Sequence, residues 1–151
     1  MTAPRLKTDI CIIGAGAGGL VVAAVAAQLG IDTILIERDK MGGDCLNYGC
    51  VPSKALLAAA HAAETARTSN RFGIEAGNLS IDGKSVFDHV QSAIDEIAPH
   101  DSVERFEEYG VNVILGEGKF SGPKEITVGE QKISARWIVV ATGSGPLVPP
   151  I

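Results

Sequence analysis

Hydrophobic and polar positions alternate between two periods along this chain. Residues 8–13 (TDICII) make a short run rich in β-branched side chains that ends on glycine, the pattern of a buried strand. Residues 19–29 (GLVVAAVAAQL) are apolar on every side, as a buried helix is, and Gly30 is placed to cap it. Residues 33–36 (TILI) repeat the strand pattern and end at Glu37. After an Ala-rich helical stretch at 55–66, residues 67–83 are polar and glycine-containing, which predicts a surface connection. Phe87, Val90, Ile94 and Ile97 recur at helical spacing and predict an amphipathic helix over 85–98, ended or kinked by Pro99. Asp101 followed by Glu104 predicts a capped helical stretch running to Tyr109 and stopped by Gly110. Residues 111–115 predict a strand, 125–128 and 131–133 a hairpin about Gly129-Glu130, and 137–141 (WIVVA) a buried strand delivering Thr142-Gly143-Ser144.

Between the first strand and the first helix lies Gly14-Ala15-Gly16-Ala17-Gly18-Gly19, which fits G-x-G-x-x-G at Gly14, Gly16 and Gly19. In a strand–turn–helix–strand unit each glycine has a task. Gly14 permits the tight turn, Gly16 lets backbone approach a pyrophosphate, and Gly19 allows close helix–strand packing. The free N–H groups and positive dipole end of the helix then face the phosphates. Glu37 closes the second strand, where a carboxylate accepts hydrogen bonds from a ribose diol. Its charge disfavours a 2′-phosphate, so FAD or NAD suits this unit better than NADP.

Composition narrows the remaining classes. The chain has 151 residues, of which 18 are glycine, well above the usual share of roughly 7%. They follow no collagen period and form no linker; they gather at the motifs. A hydrophobic fraction of 46% with 21% charged residues supports a packed core. The net charge of −5 argues against a nucleic-acid or anionic-membrane surface. The N-terminus imitates a signal peptide, with Arg5 and Lys7 before a small-apolar run, yet Asp9 and four glycines interrupt it and no stretch is long and apolar enough to span a bilayer. A cytoplasmic location is the expectation. His61, His89 and His100 have no carboxylate or cysteine partner at metal-ligand spacing, so each reads as solvated or structural and no metal site is expected.

The remaining chemistry is in Met41-Gly-Gly-Asp-Cys45-Leu-Asn-Tyr-Gly-Cys50-Val-Pro-Ser-Lys54. A C-x4-C spacing fits neither a zinc knuckle nor a thioredoxin-like pair, both of which carry C-x2-C. Across a regular helix the two Cα atoms would be separated by about 7.5 Å along the axis, whereas a disulfide needs roughly 4.4–6.8 Å. If the pair bonds, the backbone between must be irregular. Pro52 suits a first helical turn, so a helix is expected to begin near Cys50, with Cys45 in the approach segment. Cys50 beside a helix N-terminus, with Lys54 close by, favours a thiolate.

This segment resembles the redox-active signature of the class I pyridine nucleotide–disulfide oxidoreductases, flavoproteins that include dihydrolipoamide dehydrogenase, glutathione reductase and mercuric reductase. The resemblance runs from the glycine motif to the ATGS near the end of the chain. It implies a Rossmann-like α/β FAD-binding fold, a central parallel sheet with a small antiparallel β-meander in three ββα layers. It also implies that Cys45 is the interchange thiol and Cys50 the thiol next to the flavin, with Lys54 near the isoalloxazine ring. Gly14, Gly16, Gly19 and Glu37 would bind the ADP half of FAD, joined at the cofactor by Gly43, Asp44, Gly118, Thr142, Gly143 and Ser144. Asp44 stands where dihydrolipoamide dehydrogenases commonly have Thr, and Tyr48 replaces a small apolar residue. With IAPHDSVERFE at 97–107, these departures resemble the mercuric-reductase-like branch.

The expected function is electron transfer from NAD(P)H through FAD to a Cys45–Cys50 disulfide, and on to a small-molecule disulfide or metal-ion substrate, in a homodimeric full-length protein. Residues 1–151 are expected to be the N-terminal part of the FAD-binding domain. Only one GxGxxG unit occurs, so by the resemblance the NAD(P)H-binding and dimer-interface domains are expected to lie outside this chain, and the isolated chain is expected not to turn over. Two alternatives remain: an NAD-binding Rossmann dehydrogenase with incidental cysteines, and a non-catalytic dinucleotide-binding redox module.

Overall fold

The computed structural model describes residues 5–145 and 147–151. Its order is β1 (Arg5–Ile13), α1 (Ala17–Gln28), β2 (Thr33–Glu37), α2 (Gly43–Asn47), α3 (Cys50–Thr68), α4 (Gly83–Ile97), α5 (Val103–Glu108), β3 (Asn112–Leu115), β4 (Gly118–Gly122), β5 (Glu125–Val128) and β6 (Gln131–Val140). The six strands form one sheet in the order β3-β2-β1-β6-β5-β4. β1 pairs parallel with β2 and β6, and β2 with β3, while β4, β5 and β6 run antiparallel as a meander.

Alternation along the central strands separates two cores. Cys11 and Ile13 of β1, with Ile34 and Ile36 of β2, face Ile126, Val128 and Ile133 of the meander. Ile12 and Leu35, on the opposite face, meet Leu20 and Ala23 of α1 and Phe106 of α5. Registers Cys11↔Ile34 and Ile12↔Leu35 keep like faces together, as a period of two requires. The result is helix, parallel sheet and meander in three layers, as the resemblance implies, with the meander joined to the parallel sheet through β6.

Several boundaries differ from the sequence pattern. The predicted strands at 131–133 and 137–141 are one strand, because β6 pairs with β1 across the polar positions Ser134 and Arg136. The capping expected at Asp101 belongs to Ser102, whose Oγ accepts the Arg105 N–H at 3.2 Å. The helix expected at Ser85 starts at Gly83, since Asp82 caps it by accepting the Lys84 N–H. Inside the expected connection at 67–83, α3 runs on to Thr68 and a 3-10 turn covers Ser69–Phe72. Among the described residues no helix is long and apolar enough to cross a membrane.

Candidate active site

The glycine turn sits at the C-terminal end of β1, between β2 and β6, where connections leave the sheet in opposite directions. Doubly wound sheets bind ligands in such a crevice. Gly14 has φ +105°, and a methyl group there would lie 2.3 Å from the Ala141 carbonyl oxygen. Gly16 is the N-cap of α1. A Cβ on it would meet only the Gly43 Cα, at 3.9 Å, so its face stands open. A Cβ on Gly19 would strike the Gly14 carbonyl, which shows how closely α1 leans on the turn.

Glu37 ends β2 with its carboxylate buried beneath this turn. The Ala15 N–H donates to its Oε2 at 2.6 Å and the Asp39 N–H to its Oε1 at 2.8 Å. Each oxygen retains a lone pair for another donor. Beyond β6, the Ala141 N–H donates to the Ile13 carbonyl at 2.8 Å, bringing Thr142, Gly143 and Ser144 to the same end of the sheet. Gly118 lies on β4 over Ile13, Ile36 and Ile126, so its visible task is core packing near that end.

The cysteine segment docks on the glycine turn through backbone. The Gly42 N–H donates to the Ala15 carbonyl at 2.9 Å, and Gly16 and Gly42 form an isolated parallel bridge. Cys45 is on the short helix α2 rather than in an irregular approach segment. Its GDCLN sequence has little helix propensity. Asn47 compensates, its Nδ2 donating to the Met41 and Gly43 carbonyls at 3.0 and 2.9 Å. The helix then breaks, and the Tyr48 and Gly49 N–H groups both turn back to the Asp44 carbonyl at 2.9 and 2.6 Å. Cys50 begins α3 immediately afterwards. This break is irregular backbone of the kind a bonded C-x4-C pair would need. The Asp44 side chain packs on Gly49, where a Cβ would come within 2.7 Å of its Oδ2.

Cys45 and Cys50 are both free thiols. A hydrogen bond with the Cys50 side chain, then partial desolvation, pushes the Cys45 thiol above its ordinary value; the Lys54 ammonium opposes this as the weakest influence. Both cysteines open into a cavity of about 480 Å³ that Lys54, His89 and Ile97 also border. The Lys40 ammonium sits over the exposed Tyr48 ring, 5.3 Å from its centroid. The third cysteine is different: burial in the β1 core pushes Cys11 up to about 11.

Sequence reasoning missed three residues. Gly42 bridges the two segments, and its neighbour Gly43 gave the only signal. Asn47 fastens α2, legible only as an amide in a poor helix. His89, grouped with the other histidines as solvated or structural, is exposed but borders the thiol cavity. Among the described residues no three His, Cys, Asp or Glu side chains gather closely enough to hold a metal ion.

Comparison with known proteins agrees with this arrangement. The family described as pyridine nucleotide-disulphide oxidoreductase matches residues 8–151. The chain belongs to that family. Dihydrolipoyl dehydrogenase of Bacillus subtilis (strain 168) is 36% identical over 156 residues, which cover 94% of this chain and 32% of the relative. Mercuric reductase of Streptomyces lividans is also 36% identical, over 149 residues covering 95% and 31%. A solved structure, the Cu(II) complex of an HOCl-induced flavoprotein disulfide reductase from Escherichia coli, superposes with a TM-score of 0.76. It covers 95% of this chain and 29% of that one at 24% identity, a likeness of fold. The chain spans about a third of the length of the curated relatives it matches. Within that family, the chain pairs a Rossmann-like α/β architecture with the two-cysteine segment described above.

Proposed function

We propose that this chain is the FAD-binding, redox-active-disulfide portion of a flavoprotein disulfide reductase that draws electrons from NAD(P)H. One observation carries the reading. Two free thiols border one cavity, and their segment is hydrogen-bonded, through Gly42 and Ala15, to a dinucleotide-type glycine turn.

The residues fit the ADP half of FAD. The open face of Gly16 leaves room for a pyrophosphate that a side chain would fill, and the N–H groups starting α1 supply donors. Glu37 would accept from the ribose hydroxyls with its remaining lone pairs. Gly14 and Gly19 fix the turn and Gly43 and Thr142 adjoin it, while by family resemblance Asp44, Gly118, Gly143 and Ser144 would join them at the cofactor. Bound FAD would supply the hydride acceptor through which nicotinamide electrons reach the cysteine pair, chemistry that amino-acid side chains lack.

The cysteines complete the exchange. By family resemblance Cys45 meets the substrate and Cys50 lies on the cofactor side. The Cys45 thiolate attacks a substrate disulfide, forming a mixed disulfide and releasing one thiol. Cys50 then attacks the Cys45 sulfur, releasing the second thiol and closing the Cys45–Cys50 bond. The protein dithiol is oxidised by two electrons and the substrate is reduced by two. The relatives divide between dihydrolipoyl and mercuric enzymes at equal identity, so the proposed substrate is a small-molecule disulfide or a soft metal ion.

Denaturing the purified protein and identifying the released nucleotide tests the cofactor assignment. FAD supports it; NAD overturns it in favour of a Rossmann dehydrogenase. Thiol counting tests the pair. Mild oxidation should remove two of the three thiols counted after unfolding, and Cys45→Ser should prevent intramolecular closure.

A further inference from the structure

The thiol cavity extends well beyond the sulfurs. Ser85, Val86 and His89 of α4 share one groove with Ala59, Ala62 and Ala63 of α3, while His89, Ala93 and Ile97 share the next with Cys50, Lys54 and Ala55. The two helices therefore run antiparallel, with Ile97 at the cysteine end. His89 stands two turns further along the same face of α4, about 12 Å from Ile97 by helical rise. Val51, Ala55, Ala93 and Ile97 make the wall between apolar. Two basic side chains, Lys54 and His89, border this cavity without a bordering carboxylate, while Asp82 lines the adjoining groove that His89 also borders. The nearest acid in sequence, Asp88, takes the Lys84 ammonium at 2.5 Å, and Asp82 is occupied in capping α4.

Resting on the disulfide-reductase reading, we propose that His89 is a specificity-determining residue, recognising a carboxylate carried on the arm of the disulfide substrate away from its reacting sulfur. The apolar wall accommodates the arm, and His89 at its far end offers ring N–H donors and, when protonated, a positive charge. A neutral amide arm finds no opposite charge there.

The test needs no cofactor. The reduced chain is mixed with a dianionic aromatic disulfide, dithiobis(nitrobenzoate), or a neutral one, dithiodipyridine, and thiolate release is followed by stopped flow. The readout is the ratio of the two rate constants, which cancels any general loss of thiol reactivity. In His89→Leu the ratio of anionic to neutral probe should fall about threefold, as for an exposed charge contact, and His89→Lys should restore it. An unchanged ratio in His89→Leu, with thiolate still released, overturns the role of His89 while leaving the cysteine pair intact. Paired thiolate release persisting in Cys45→Ser overturns the underlying reading instead.

Discussion

Gly43 touches Gly16 backbone to backbone: a methyl group on Gly43 would lie 2.6 Å from the Gly16 Cα. The cysteine segment is thereby seated on the N-terminus of α1 with no side chain between them. Gly43 also has φ +55°, a conformation that costs an L-residue roughly 1–2 kcal/mol.

Gly43→Ala should therefore lower stability by about 2 kcal/mol or more, combining backbone strain with a clash that neither main chain can relieve locally. Gly18→Ala is the matched control. That position lies in α1 with nothing within 4 Å of its added methyl, so up to about 1 kcal/mol of helix propensity is gained. Urea denaturation of both variants checks the contrast.

Glu37→Gln keeps the shape of the side chain and turns one acceptor into a donor. One of the two backbone N–H groups, from Ala15 or Asp39, then faces an N–H₂. An unsatisfied donor at this buried site should cost about 1–3 kcal/mol. Adenine-nucleotide affinity should fall in parallel, which flavin fluorescence or calorimetry measures.

In the nucleotide-free chain, limiting iodoacetamide should label the exposed Cys50 before Cys45, whose raised value leaves less thiolate at any given pH below it. Cys50→Ala removes the hydrogen bond that raises Cys45, so the alkylation profile of Cys45 should move to lower pH. Cys11, pushed up to about 11 by burial, should stay unlabelled until the chain unfolds. Bound FAD should reverse the order by covering Cys50. Peptide mapping by mass spectrometry reads all four outcomes.

The Asp82 carboxylate is held below its ordinary value, first by the Ser85 hydroxyl and then by the Lys84 N–H. A depressed acid contributes stability above its unfolded value, near 3.8, and that contribution is lost as pH falls through the folded one. Asp82→Ala should therefore speed amide exchange in the first turn of α4 at neutral pH. The difference from the parent should shrink under acid conditions.

Legibility in the sequence followed the locality of the interaction. The turn at Gly14–Gly19, α1, β2 and Glu37 were readable because one short stretch encodes both pattern and packing. The Gly30 cap was readable too: its N–H returns to the Ala27 carbonyl at 2.9 Å. β4 was not readable, because GKFSG carries two glycines and little β propensity, and antiparallel pairing with β5 forms it. α2 escaped for a similar reason, its shape coming from the Asn47 amide and the seat on Gly16. The cysteines were conspicuous as residue types, yet the cavity joining them to His89 depends on how α3 lies against α4, and no local pattern reports that.

β6 has a consequence for how the chain reaches its native state. Arg5 pairs with Lys132 and Ile13 with Val140, so the central strand gains this neighbour only after nearly all the intervening chain has been made. Pairings that distant close slowly, since the loop entropy is lost before the contact forms. During synthesis β1 and β2 can already zip together while the opposite edge of β1 remains bare, an invitation to strand exchange with other nascent chains. Arrival of the ten-residue β6 is the event that seals that edge and recruits the meander in one step.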